Sequence, residues 1–185
     1  MSIEEDKPAN LQVSTTGEPA AIDPFKLQSL VQQLKNSQNL PLGILGGLGA
    51  AIIGAVIWAA ITVITDYQIG WMAVGVGFLV GLAVRTFGKG IDRIFGIVGA
   101  AWSLLGCLAG NLLTITAVIA QQEAVPFIEV FLFLATSPGV VVELMTATFS
   151  PIDLLFYGIA VYEGYKLSFR QLSKAELSGL MTEPV

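Results

Sequence analysis

The fold is decided by residues 94–120, IFGIVGAAWSLLGCLAGNLLTITAVIA, which include no charged side chain. An α-helix of this length would extend about 40 Å, which is more than the ~30 Å hydrocarbon core of a bilayer. We therefore expect a transmembrane helix that tilts strongly or projects beyond the bilayer core.

Small residues form a seam along this helix, because they return at spacings of three and four. The seam consists of Gly96, Gly99, Ser103, Gly106 and Gly110, and an earlier apolar run has the similar pair Gly77 and Gly81. Lipid tails provide no hydrophobic drive for helix association, so transmembrane helices rely on small faces that let their backbones approach. We predict that these residues pack helix against helix within the chain. Homo-oligomerisation through a leftover stripe is compatible with this use.

The composition agrees with a membrane protein. Hydrophobic residues make up 54% of the 185-residue chain, and charged residues only 12%. Soluble domains carry about 25% charged residues. Half of that fraction is too little to cover a globular surface that faces water on all sides.

Three further apolar runs accompany residues 94–120, at residues 42–65, 69–87 and 150–167. The last begins with Ser150-Pro151-Ile152-Asp153, which supplies a capping residue, a first-turn proline and a carboxylate at the third helical position. We predict an all-α integral membrane protein with four transmembrane helices. Its membrane domain extends over residues 41–167.

Residues 124–149 are apolar, but their sequence does not predict a fifth transmembrane helix. Two carboxylates, Glu129 and Glu143, flank a break at Ser137-Pro138-Gly139, where proline lacks a backbone donor and glycine loosens the helix. We predict an interfacial or re-entrant helical hairpin between spans three and four. An added fifth crossing would also export the basic C-terminal tail.

The two tails are polar. Residues 1–40 are predicted to be mostly disordered, except for an amphipathic helix near residues 24–36, and residues 168–185 form the second tail. Asp23 is the expected N-cap of that helix, and Pro24 its first residue. Its apolar face, Leu27, Leu30, Val31 and Leu34, packs on the bundle, lies on the bilayer or docks a partner.

Basic residues predict the orientation. In the four-span arrangement all nine Lys and Arg residues lie on one side, and the other side holds only acidic charges. The nine are Lys7, Lys26, Lys35, Arg85, Lys89, Arg93, Lys166, Arg170 and Lys174. By the positive-inside rule we place both termini in the cytoplasm, with the helices in a prokaryotic cytoplasmic or internal membrane.

The residue inventory excludes several kinds of chemistry. The chain has no histidine and a single cysteine, Cys107, so it cannot form a Ser-His-Asp or Cys-His catalytic group, an intrachain disulfide or a histidine- or multi-cysteine zinc site. The net charge of −5 and the absence of a basic patch argue against nucleic-acid binding. We expect no catalytic residue, cofactor or metal.

Three polar residues in or beside apolar segments are candidates for function, namely Asn111, Asp153 and Glu163. An ionisable residue within a membrane is a functional hypothesis by default. Each also has a structural explanation. Asn111 can bond between helices, Asp153 can cap a helix, and Glu163 can pair with Lys166 three residues later.

Parts of the sequence resemble a module of small uncharacterised bacterial polytopic membrane proteins. The similar stretches are Gly75–Arg85, Asp153–Tyr157 and Tyr162–Lys166, and the resemblance covers roughly residues 42–169. It implies a bundle of transmembrane helices. It brings no catalytic residue to any position of this chain.

Two functions fit these features best. The first is a non-enzymatic accessory, scaffold or assembly factor, whose surroundings are the lipid bilayer and a membrane-protein partner or a second copy. The second is a small channel or transporter subunit that acts as a homo-oligomer, favoured by the glycine seams and the broken 124–149 segment. An intramembrane enzyme that uses carboxylates and tyrosines is least favoured.

The orientation can be tested by labelling cysteines in a Cys107→Ala background. We expect Gln68→Cys to react with a membrane-impermeant thiol reagent added to intact cells, because it lies in the acidic loop. Lys89→Cys should react only after the membrane is opened. The reverse pattern would contradict the orientation.

Overall fold

The structure is a computed structural model that describes residues 23–66, 70–178 and 180. The predicted disorder of residues 1–22 lies outside this part of the chain. The described residues are helical and irregular, without a strand. The helices are α1 (Pro24–Asn36), α2 (Leu40–Thr65), α3 (Trp71–Gly88), α4 (Arg93–Gln122), α5 (Phe127–Thr136), α6 (Pro138–Thr148), α7 (Pro151–Leu167) and α8 (Lys174–Ser178).

The helix boundaries follow local signals in the sequence. The Asn39 side chain accepts a hydrogen bond from Leu42 N at 3.0 Å and so caps α2. At the end of α3, Lys89 adopts a left-handed φ of 50° and its N–H bonds Arg85 O at 2.9 Å. At the start of α7, the Asp153 carboxylate accepts the Ser150 N–H at 2.8 Å. Each bond satisfies a backbone group that the helix itself leaves free.

Four helices form the bundle, which lies in the compact unit Leu30–Gln171. Helix α2 packs on α3 and α4, and α7 packs on the same two helices. Helices α2, α3 and α4 are long and apolar enough to cross a membrane. Helix α7 has 17 residues, about 25 Å, and completes the bundle beside them. The predicted all-α membrane fold is confirmed.

The hairpin predicted within residues 124–149 is also confirmed. Helices α5 and α6 meet at Ser137 with a bend of 107°, as in a broken span or a re-entrant loop. Within the described residues the pair packs against α4 and not against the other bundle helices. Val130 and Leu134 of α5 are buried against Ala120 of α4, whereas α6 has no buried residue.

Helix α1 has the predicted start and length. Asp23 Oδ1 accepts the Phe25 N–H at 2.9 Å, and Pro24 is the first helical residue. Of the predicted apolar face, Leu34 is buried whereas Leu27 and Val31 are exposed.

Glycines bring the backbones of α3, α4 and α7 into contact. A Cβ added to Gly77 of α3 would lie 2.7 Å from the Cα of Ala160 on α7. A Cβ added to Gly99 of α4 would collide with the Gly164 carbonyl and with Ser168 Oγ. No larger side chain fits at these positions unless the helices separate. The glycines therefore set the distance between α7 and its two neighbours.

We expect Gly77→Ala to destabilise the bundle strongly, and Gly75→Ala, two residues earlier, to be harmless. A Cβ at Gly77 meets the backbone of Ala160, which cannot move aside as the end of a side chain can. Overpacking of this kind lowers the free energy of unfolding by about 1–3 kcal/mol or more. A Cβ at Gly75 meets nothing within 4 Å and gains helix propensity. Thermal unfolding of both variants in one detergent provides the comparison. Equal melting temperatures would contradict the close contact.

Candidate functional site

A layer of polar side chains lies inside the bundle around Asn111. Asn111 of α4 is 4% exposed, and its side chain lies beside the phenol of Tyr157 on α7. The Tyr157 ring meets Trp58 of α2 edge-on, with 6.4 Å between ring centroids, and Phe149 at 6.3 Å. The layer therefore joins three helices of the bundle.

Among the residues that the structure describes, two buried polar side-chain atoms have no hydrogen-bond partner. They are Trp58 Nε1 and Thr62 Oγ1, on residues that are 2% and 6% exposed. The nearby Thr114 and Thr116 instead donate to carbonyls one turn earlier in α4, at 2.9 and 2.8 Å. The layer supplies neutral donors and acceptors, which suit hydrogen bonding rather than acid–base chemistry.

The two acidic candidates, Asp153 and Glu163, lie near opposite ends of α7. Asp153 fixes the start of α7, as described above. Glu163 is half-buried near the other end of α7, and its expected ion pair with Lys166 does not form. The Lys166 ammonium lies over the Tyr162 ring instead, 5.4 Å from its centroid. A cation–π contact along the same exposed face replaces the predicted pair.

All seven predicted packing residues are buried, but the seam of α4 serves two neighbours. Its first half, Gly96, Gly99 and Ser103, faces the C-terminal half of α7 and the residues just after it. Gly106 lies against Ala51 of α2 and Val76 of α3, and Gly110 lies against Trp58 and Ala55 of α2. In α3, Gly77 and Gly81 both face α7. Sequence spacing identified the seam but not this division.

One end of the bundle is tied together by polar bonds that the sequence did not reveal. Gln38, before α2, accepts the N–H groups of Ile91 and Asp92 at 3.0 and 3.2 Å and donates to Asp92 Oδ2 at 2.9 Å. Backbone bonds from Asn39 N to Gly88 O and from Arg170 N to Gly90 O add two further links, at 2.9 and 2.8 Å. We call this end the basal platform, comprising residues 37–39, 88–93 and 168–170.

The platform shows that α2 begins, α3 ends, α4 begins and α7 ends at the same end of the bundle. The platform is rich in exposed cations, with Lys89 and Arg93 within it and Lys35 and Lys166 beside it. The one exposed carboxylate within the platform, Asp92, is held by Gln38.

Among the described residues, no group of three or more Cys, Asp or Glu side chains could hold a metal ion. Cys107 is fully buried, with its thiol 3.8 Å from the carbonyl of Ala73.

Comparisons with protein-family models, curated proteins and solved structures find no match to this chain.

The coupling between Asn111 and Tyr157 can be measured with a double-mutant cycle. We expect Asn111→Ala and Tyr157→Phe each to lower the free energy of unfolding in detergent. The double variant should lose less than the sum of the two single losses, by about 0.6 kcal/mol, the average coupling for polar pairs between transmembrane helices. Ser103→Ala paired with Tyr157→Phe is the control, because Ser103 Oγ bonds within its own helix to Gly99 O. Additive losses at Asn111 and Tyr157 would show that the two side chains are not coupled.

Proposed function

We propose that this protein is a non-enzymatic accessory or scaffold subunit that docks an acidic partner protein on its basal platform. The observation that supports this most is the network around Gln38, which joins residues 37–39 to residues 88–93, while the bond from Arg170 N to Gly90 O adds residues 168–170 to the same surface. Loops that merely connect helices need no such network. A fixed surface loses little conformational entropy when a partner binds.

Charge supports an acidic partner. The cations around the platform are exposed, whereas its exposed carboxylate is engaged by Gln38. Complementary charge across an interface speeds association and selects against wrong partners. We place the platform and both termini in the cytoplasm, because basic residues collect at that end.

A homo-oligomeric channel or transporter subunit is the second proposal. The buried Asn111 layer favours it, since Trp58 and Thr62 keep polar atoms without protein partners. The centre of the single bundle is filled with apolar side chains such as Val76, Val80 and Phe95, so conduction would need a pathway between copies. Flux through purified protein in liposomes tests this function separately.

The platform is tested by removing charges without disturbing the bundle. We expect Lys35→Gln with Arg93→Gln to reduce the recovery of a stoichiometric partner from native membranes in mild detergent. The remaining recovery should also depend less on the salt concentration. Both side chains are exposed, so folding should be retained. Quantitative mass spectrometry of the eluate at two salt concentrations gives both readouts.

The matched control is Gln121→Glu with Gln122→Glu, at the opposite end of α4. It changes the net charge by the same two units at exposed positions. Gln38→Ala should reduce recovery as well, because it unties the surface while leaving every charge. Equal partner recovery from all variants would exclude the platform as the docking surface.

A further inference from the structure

A lipid-facing groove runs between α2 and α3 outside the bundle core. Its cavity has a volume of about 490 Å³ and an apolar lining. Leu42, Gly49 and Ile53 of α2 line it on one side, and Leu79, Ala83 and Phe87 of α3 line it on the other. The groove contains no charged side chain.

The groove extends along most of both helices. A second cavity of about 220 Å³ shares Leu79 with it and continues to Ile57 of α2 and Met72 of α3. From Leu42 to Ile57 the helix rises about 22 Å, most of the thickness of a bilayer core. Gly49 and Gly75 face open space, since a Cβ at either position would meet nothing within 4 Å. The space is therefore long, narrow and apolar.

The groove ends at the basal platform. Phe87, the last lining residue of α3, is followed by Gly88 and by the exposed Lys89. The bond from Asn39 N to Gly88 O holds this turn against the start of α2. The N-terminus of the 26-residue α2 therefore lies beside the Lys89 turn, and a helix N-terminus attracts anions. Negative charge at this mouth would meet both a cation and a helix dipole.

We propose that the groove binds one anionic phospholipid, with an acyl chain along α2 and α3 and the phosphate beside Lys89 and the N-terminus of α2. The apolar length takes the chain, and the positive mouth takes the headgroup. A second copy in the same orientation is a poorer occupant, because it would bring its own positive mouth to this one. The groove and the platform meet at Lys89, so the partner surface is tested through Lys35 and Arg93, which the lipid experiment leaves unchanged.

The test uses the full-length protein and native mass spectrometry. Purified wild-type protein is mixed with equal amounts of phosphatidylglycerol and phosphatidylcholine. The number of molecules of each lipid that stay bound to the protein is then counted, and the variants are treated in the same way. We expect one phosphatidylglycerol to be retained preferentially. Lys89→Gln should lower that preference about fivefold, the effect of roughly one basic contact at a membrane surface. Lys166→Gln, exposed at the same end but on α7, should leave it unchanged.

A second pair of variants tests the groove itself. Gly49→Leu should reduce retention of both lipids, because its side chain fills the groove. Gly158→Leu, at an equally open position on α7, should not. A Cβ at either position meets nothing within 4 Å, and equal melting temperatures would confirm intact folding.

Two results would overturn the proposal. One is equal phosphatidylglycerol retention by wild type, Lys89→Gln and Gly49→Leu. The other is a wild-type dimer that Gly49→Leu abolishes, which would identify a second copy as the occupant. Loss of the protein partner in the platform variants would alter neither readout.

Discussion

The structure depends on the near contact between the backbone of α7 and the backbones of α3 and α4. At Gly77 and Ala160, and again at Gly99 and Gly164, there is no room for one more carbon atom. In a bilayer, burial of apolar side chains against other helices gains little over burial in lipid, so association relies on close van der Waals packing and hydrogen bonds. Small residues permit the close packing, and Ser103 and Ser168 can lie within it because their hydroxyls donate to carbonyls one turn earlier, Gly99 O at 2.7 Å and Gly164 O at 2.6 Å. A 17-residue helix can thereby complete the bundle.

The same close packing fills the interior of the bundle with side chains. Asn111 lies beside Tyr157 there, and a rotation of α7 against α4 that separated these two polar groups would be costly in an apolar environment. Two features on the outside of the bundle are not explained by its packing. These are the Gln38 network at the basic end and the open groove between α2 and α3.

The two surfaces meet at Lys89 and the start of α2. A lipid headgroup at this mouth would neutralise part of the positive charge and leave the remaining cations to a protein partner. The α5–α6 hairpin has a different character, because it is attached to α4 and α6 has no buried residue. It therefore contributes little to the cohesion of the bundle, and the four bundle helices do not need it for their mutual packing.

The sequence by itself determined α1, the four bundle helices with ends within two residues of the observed ones, the hairpin and the small-residue seams, but it did not predict α8. These features depend on neighbours in the chain: runs without charge, capping residues, proline, and side-chain size at helical spacing. Only the tertiary structure decided which helix each glycine contacts. Gly75 faces open space, whereas Gly77, two residues later, packs against the backbone of Ala160. It also brought Asn111 to Tyr157 and Gln38 to Asp92, and turned Lys166 toward Tyr162 instead of Glu163. Contacts between residues about 50 positions apart depend on how helices rotate and cross, which is a property of the whole bundle and not of any local pattern.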